Sequence, residues 1–285
     1  MKIDLRYAPH PDDAKGYDTS ALRRHFLMEN LFQPNEIVLT YSTVDRVVVG
    51  GVLPTTESVV LTVPKEIGSP TFLARREMGV FNIGAPGRVV VDGTAHALGN
   101  RDALYIGKDS ADVRFESVDP ASPAKFYVMS TPAHARYETR LITQAQARTM
   151  AVGDGATSNK RVIYQYILPG VCETSQLVMG LTQLEPGSMW NTMPAHSHGR
   201  RCEVYFYFDL AENARVFHLM GEPTETRHIV LKSDEVVISP SWSIHSGVGT
   251  RPSRSLPISM PVDCPSPNSL AIFAILSTPT AIPRW

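Results

Sequence analysis

Cysteine is scarce in this 285-residue chain: Cys172, Cys202 and Cys264 are an odd number with no C-x-x-C spacing. That excludes a disulfide framework and a thiolate zinc site, and fits a reducing cytoplasm. An excess of one charge is also lacking. With 27 Lys+Arg against 28 Asp+Glu the formal net charge is −1, so no basic field gathers nucleic acid or anionic lipid, and an anionic ligand must be met by local side chains. No apolar run approaches the roughly 20 residues of a membrane span. Met1-Lys-Ile-Asp-Leu-Arg carries charge where a signal peptide is apolar, and no helix-turn-helix pattern is present. The expectation is a cytoplasmic protein with no membrane and no nucleic-acid partner, long enough for two ordinary domains or one large β domain.

Helical texture is sparse too. Asp18-Thr19-Ser20 offers N-caps, and the run to Phe32 before Pro34 predicts one early helix, with Leu22, Phe26, Leu27, Met28, Leu31 and Phe32 burying it on all sides. From Ile37 onward short β-branched and aromatic runs alternate with Gly, Pro, Asn and Asp, as in Val47-Val49, Val59-Val63 and Val89-Val91, the texture of a β-sandwich or barrel. The alanine-rich stretch Ala133 to Ala147 predicts a helical connector, and Gly153 to Asn159 a loop. A domain boundary is expected there, dividing the chain into 1–150 and 151–285. A second strand series follows through Val162-Tyr164, Leu177-Met179, Val204-Phe208, Ile229-Leu231 and Val236-Ile238.

The halves share offsets. Pro86-Gly87 recurs as Pro186-Gly187 at a displacement of 100, and Thr94, His96, Asp102 and Ile106 recur as Thr226, His228, Asp234 and Ile238 at 132. The growth from 100 to 132 leaves 32 extra residues in the second copy, and these contain His196, His198 and Glu203. At the 132 offset His245 falls opposite Val113. One barrel without a metal site and one with it are therefore expected.

The chemistry-bearing segment is His196-Ser-His-Gly-Arg-Arg-Cys-Glu-Val-Tyr-Phe-Tyr-Phe-Asp209. In a strand His196 and His198 project the same way and can share one ion. Glu203 has the opposite parity, so a turn at Gly199-Arg200 must bring it back to the same interior. Past that turn Glu203, Tyr205 and Tyr207 share one face, and Val204, Phe206 and Phe208 the other. Cys202 falls on the second face, as a packed thiol. His245, in Pro240-Ser-Trp-Ser-Ile-His-Ser-Gly, supplies a fourth ligand from a distant strand, which a closed barrel brings near. Three imidazoles and one carboxylate suit Zn²⁺, Fe²⁺, Mn²⁺ or Ni²⁺ rather than Ca²⁺ or Mg²⁺. Arg200 and Arg201 are candidate partners for a substrate carboxylate, and Tyr205 and Tyr207 candidate hydrogen-bond donors to its oxygens. His10, His25, His96, His134, His218 and His228 are taken as structural or surface residues.

His-x-His-x4-Glu followed by Pro-x-x-x-x-His resembles the two cupin motifs, although Trp242 stands where the common second motif has Gly. The segments 196–209 and 239–249, with Met1-Lys-Ile-Asp-Leu-Arg-Tyr and Tyr17 to Phe32, are similar to the 5-keto-4-deoxyuronate isomerase family over roughly the first 250 residues. The resemblance implies a mainly β fold of two tandem cupin-type (jelly-roll) β-barrels with a few short helices. It implies one zinc held by His196, His198, Glu203 and His245, and a homohexamer. The implied reaction is aldose–ketose isomerisation of 4-deoxy-L-threo-5-hexosulose uronate to 3-deoxy-D-glycero-2,5-hexodiulosonate in pectin and polyuronate degradation. Catalytic roles then fall to Glu203, Tyr205 and Tyr207. The rival readings are 5-deoxyglucuronate isomerisation in inositol catabolism, an iron dioxygenase, and a non-enzymatic sugar-binding cupin. From Arg251 the texture breaks: seven prolines, six serines, no glycine and one acid in 35 residues. The break directly after a strong motif motivates the hypothesis of a frameshift near codon 251, which resequencing the gene tests.

Overall fold

The computed structural model describes residues 1–250 and the strand Pro257–Met260; the atypical tail of 251–285 otherwise lies outside the described residues. Two compact units emerge. The first comprises Met1–Arg6, Asn30–Ala147 and Tyr166–Leu177; the second comprises Tyr7–Glu29, Arg148–Gln165 and the chain from Val178 onward. The units thus exchange short segments across position 150.

Each unit is a sandwich of a seven-stranded and a four-stranded sheet. In the first, the larger sheet runs Lys2–Arg6, Ile37–Ser42, Val48–Val52, Phe126–Pro132, Arg76–Asn82, Ala103–Ile106, Arg140–Ile142. Its smaller sheet runs Val59–Val60, Val113–Ser117, Gly87–Val91, Thr94–Leu98. In the second, the larger sheet runs Arg148–Val152, Arg161–Ile167, Met179–Leu184, Pro257–Met260, Glu203–Tyr207, Glu235–Ser239, Leu27–Met28. The smaller one runs Trp190–His196, His245–Gly249, Val216–Glu222, Glu225–Leu231. Some of the offset positions fall at like places in the strand order, whereas Ile106 joins the core between the sheets and Ile238 pairs with Val204 on the face opposite Glu203. Val113 and His245 each open the second strand of a small sheet, and Asp102 and Asp234 each precede the sixth strand of a large one.

The alternation of the sequence sets the layers. In the first unit Ile37, Leu39, Met78, Val80, Leu104, Ile106, Val113 and Phe115 meet in one buried cluster between the sheets. Each such side chain contributes about 1.5–3 kcal/mol on burial. Glu77, of the opposite parity and fully buried, is held by the backbone N–H groups of Ser175, Gln176 and Leu177 and by the Tyr105 hydroxyl.

Two expected helices need correction. The early one is Thr19–Phe26, capped by Asp18 accepting from the Ala21 N–H, and it stops well before Phe32. Leu27–Met28 instead forms an edge strand paired with Val236 and Val237, because this apolar pair closes the open edge of the second large sheet. The Ala133–Ala147 connector contains a strand, Arg140–Ile142, and a short 3₁₀ turn, Gln144–Gln146, with a Thr143–Gln146 capping box. Leu177 and Val178 likewise precede their strand, which is Met179–Leu184. No helix among the described residues is long and apolar enough to cross a membrane.

Candidate metal centre

His196 ends the strand Trp190–His196, His198 follows it, Glu203 opens the strand Glu203–Tyr207 and His245 opens His245–Gly249. The turn at Gly199-Arg200 restores the parity of Glu203, and the pairing of His196 with His245 closes the ring. One ligand atom from each of the four residues lies within 4.8 Å of all the others. That is the scale set by two metal–ligand bonds of about 2.0–2.2 Å each. The Glu203 Oε1 atom meets His198 Nε2 and lies 3.1 Å from His245 Nε2. The imidazoles pack with centroids 4.6 Å apart for His196 and His245 and 5.0 Å for His198 and His245. Among the described residues this is the one such cluster.

The surroundings orient these donors. His196 Nδ1–H donates to the Pro194 carbonyl at 3.0 Å, which leaves Nε2 as the lone-pair nitrogen. Tyr205 donates to Glu203 Oε2 at 2.7 Å, and its oxygen lies 3.2 Å from Thr192 Oγ1. Supports of this kind fix ligand orientation. Burial, with His196 and Arg201 adding repulsion, pushes His198 down to about 2. Burial likewise holds His245 well below the usual imidazole range, with His196, His198 and His218 adding to it. Both rings are therefore neutral, the form that binds metal. Burial raises the Glu203 carboxyl well above its ordinary range, against the Tyr205 hydrogen bond and the Arg201 charge, which lower it. A dication among these donors would offset that burial cost, so the residues present fit one metal ion.

The tyrosines are fully buried on the same face as Glu203, and Val204, Phe206 and Phe208 are buried on the other. Arg200 is exposed on the turn; Arg201 is half-buried, and its charge acts on His198 and Glu203. Cys202 is buried.

His218, expected to be structural, sets its Nδ1 2.8 Å from the Tyr207 hydroxyl and its Nε2 3.0 Å from Ser239 Oγ, hydrogen-bonding both. Its ring lies 5.0 Å from that of Tyr205, and burial lowers it to about 3. The available signal was strand parity, since His218 is buried between the exposed Phe217 and half-buried Leu219. Trp242, the departure from the motif, packs edge-on to Phe26 at 6.2 Å. A cleft of about 490 Å³ in the first unit, lined by Asp92, His96, Arg136 and Glu138 among others, contains none of the four donors. Donor chemistry, rather than concavity, marks the candidate site.

The chain is 56% identical over 251 residues to a 4-deoxy-L-threo-5-hexosulose-uronate ketol-isomerase of Burkholderia cenocepacia, covering 87% of this chain and 90% of that protein. It is 53% identical, with the same coverage, to the protein of that name in Yersinia pseudotuberculosis. Among solved structures, an IolB-like protein from Salmonella typhimurium superposes with a TM-score of 0.59 at 15% identity, covering 81% of this chain and 87% of that one. Bacillus subtilis oxalate decarboxylase superposes at 0.51 and 9% identity, covering 75% and 68%, a likeness that shows the cupin fold alone. With the sequence model of the KduI/IolB family matching residues 27–252, the chain belongs to the KduI/IolB family.

Proposed function

We propose that this chain is a zinc-dependent ketol-isomerase that converts 4-deoxy-L-threo-5-hexosulose uronate to 3-deoxy-D-glycero-2,5-hexodiulosonate, in pectin and polyuronate degradation. The carrying observation is the convergence of His196, His198, Glu203 and His245, in a chain more than half identical to isomerases of that name. Those names favour this substrate over 5-deoxyglucuronate and over a non-enzymatic role. On this reading His196, His198, Glu203 and His245 hold the zinc, which when bound supplies Lewis-acid stabilisation of negative charge developing on the substrate's oxygens.

The reaction moves one proton from C2 to C1 and one hydroxyl proton from O2 to O1, with no net redox change. Tyr205 and Tyr207 have phenols raised well above their ordinary range, first by burial and then by the Glu203 charge, so they stay protonated: Tyr205 commits its hydroxyl proton to Glu203 Oε2, and Tyr207 donates to a substrate oxygen. Glu203, steadied at Oε2 by Tyr205, holds and returns the transferred proton together with Tyr207, whose hydroxyl is backed by His218. Arg200 and Arg201 offer cations to the acidic sugar from the turn. We assign the zinc role to a domain of 151–285 and a structural role to 1–150, in a cytoplasmic homohexamer.

Elemental analysis of the purified protein, paired with an assay for the diketo product, tests the reading. About one zinc per chain is expected, with activity lost on chelation and restored by zinc. Metal-free protein with full activity would defeat it.

A further inference from the structure

The second unit buries a cation that the motif does not account for. Arg161 opens the strand Arg161–Ile167 and is 3% exposed. Along that strand Arg161, Ile163 and Gln165 are buried while Val162 and Tyr164 are half-buried, so Arg161 lies on the inward face. The second strand of the first unit's large sheet, Ile37–Ser42, puts Ile37 and Leu39 into the apolar core and carries no arginine.

Two buried arginines make the contrast clear. Arg76 in the first unit is satisfied by protein oxygens: its Nε donates to Ser130 Oγ at 3.1 Å, and its Nη2 to the Arg46 and Ser130 carbonyls at 2.7 and 2.8 Å. Arg161 donates from Nη1 to the Asn159 carbonyl at 2.8 Å, and its buried Nε has no hydrogen-bond partner among the described residues. Burial lowers Arg161 to about 10, so it remains charged at neutral pH, and the side chain whose field acts on it is Tyr205. No carboxylate among the described residues forms an ion pair with it. An uncompensated buried charge costs several kcal/mol, a cost relieved when an anion binds it.

A buried hydroxyl accompanies it. Thr182 is fully buried, and its Oγ1 has no hydrogen-bond partner among the described residues. Thr182 and Tyr207 both pair with position 258 on the strand between them, so all three positions share one face of the sheet. The Thr182 hydroxyl thus lies on the face of the tyrosines, and Arg161, inward on its own strand, is within the field of Tyr205.

We propose that Arg161 is the inner seat for the carboxylate of the acidic sugar, with the Thr182 hydroxyl as a further substrate contact on the face of the tyrosines. The inference rests on the uronate reading above and names the group that selects an acidic over a neutral sugar. A planar fork with an open Nε presents the edge that grips a carboxylate through two hydrogen bonds. Arg200 and Arg201, on the turn, then act on the approaching anion.

The test uses full-length zinc-loaded protein and its Arg161→Gln, Arg161→Lys, Thr182→Val and Arg201→Gln variants, each checked for zinc content and melting temperature. Steady-state kinetics on the uronate are read beside inhibition by gluconate, a six-carbon aldonate, and by its neutral polyol, glucitol. Arg161→Gln should keep its zinc, raise KM at least about 30-fold, and abolish the preference for gluconate over glucitol. Arg161→Lys should fall between it and wild type, Thr182→Val should raise KM about 3- to 10-fold, and Arg201→Gln should do less than Arg161→Gln. An unchanged KM and an unchanged gluconate preference in Arg161→Gln would overturn the proposal. If wild type binds gluconate selectively but does not turn over the uronate, the isomerase reading fails while the seat is still tested by the inhibitor pair. Should the variants not fold, a crystal structure of the wild-type zinc protein with gluconate decides: the carboxylate on Arg161 supports the seat, and its placement on Arg200 or Arg201 refutes it.

Discussion

In the first unit the paired strands Arg76–Asn82 and Ala103–Ile106 send Met78, Val80, Leu104 and Ile106 into an apolar core. In the second, Glu203–Tyr207 and Glu235–Ser239 occupy the same places in their sheet, and the inward positions are Glu203, Tyr205 and Tyr207. Strand order does not change, whereas the chemistry of the interior does. The second unit manages this because its other face is strongly apolar, with Val204, Phe206 and Phe208 fully buried and the two phenyl rings stacked at 5.1 Å. Folding energy comes from one face of the strand, and the opposite face carries donors. Around the ring the polar side chains are tied by short links, Tyr205 to Glu203, Tyr207 to His218, and His218 to Ser239.

The largest effect expected from breaking this division is at the ring. His245→Ala should remove most bound zinc and lower kcat/KM about 10³-fold or more, with the fold retained by circular dichroism. Retention of stoichiometric zinc by this variant would mean that the donors do not act together. In the first unit, Leu104→Ala should lower stability by about 2–5 kcal/mol in denaturant titration and leave zinc content and KM unchanged. A change in KM would show that the apolar barrel is not purely structural.

The contrast also explains what was legible in the sequence. The four ring residues could be read because strand parity and one turn suffice to converge them. Leu27-Met28 misled because an apolar pair after a helix satisfies either a buried helix or an edge strand, and only the open edge beside Val236 and Val237 decides. Ala133 to Ala147 misled because alanine favours a helix locally, while the edge of the first large sheet recruits Arg140–Ile142. Arg161 follows Ser158-Asn159-Lys160 and so looks like part of a solvated basic loop. Its burial depends on a strand boundary, the least certain feature of any sequence reading.

His218 sharpens the comparison through pH. Its folded value is lowered to about 3 from an unfolded value near 6.5, so between those limits the unfolded chain binds more protons. The contribution of His218 is fully present above about pH 6.5 and is lost as pH falls towards 3, with a slope of up to about 1.4 kcal/mol per pH unit. With saturating zinc in both samples, wild type should lose more stability than His218→Gln between pH 6 and pH 4. Identical slopes in melting experiments would show that the imidazole is not held neutral.

The smallest predicted effect concerns a missing side chain. Gly247 pairs with His218, and a Cβ at Gly247 would meet the Tyr207 hydroxyl oxygen at 2.6 Å, with ring carbons at 3.3 Å. Its backbone needs no special conformation; the constraint is the close approach of a phenol. Gly247→Ala should therefore tilt Tyr207 off His218 and lower kcat about 10-fold, while zinc content and the other ring contacts persist, because all four donors lie elsewhere. Tyr207→Phe removes the same hydrogen bond without crowding and should reproduce the loss. Combining the two should cost little more than either alone, since both act on one hydroxyl. Full additivity would mean that Gly247 serves the strand Val216–Glu222 rather than Tyr207, and would separate the geometry of that phenol from the chemistry of the site.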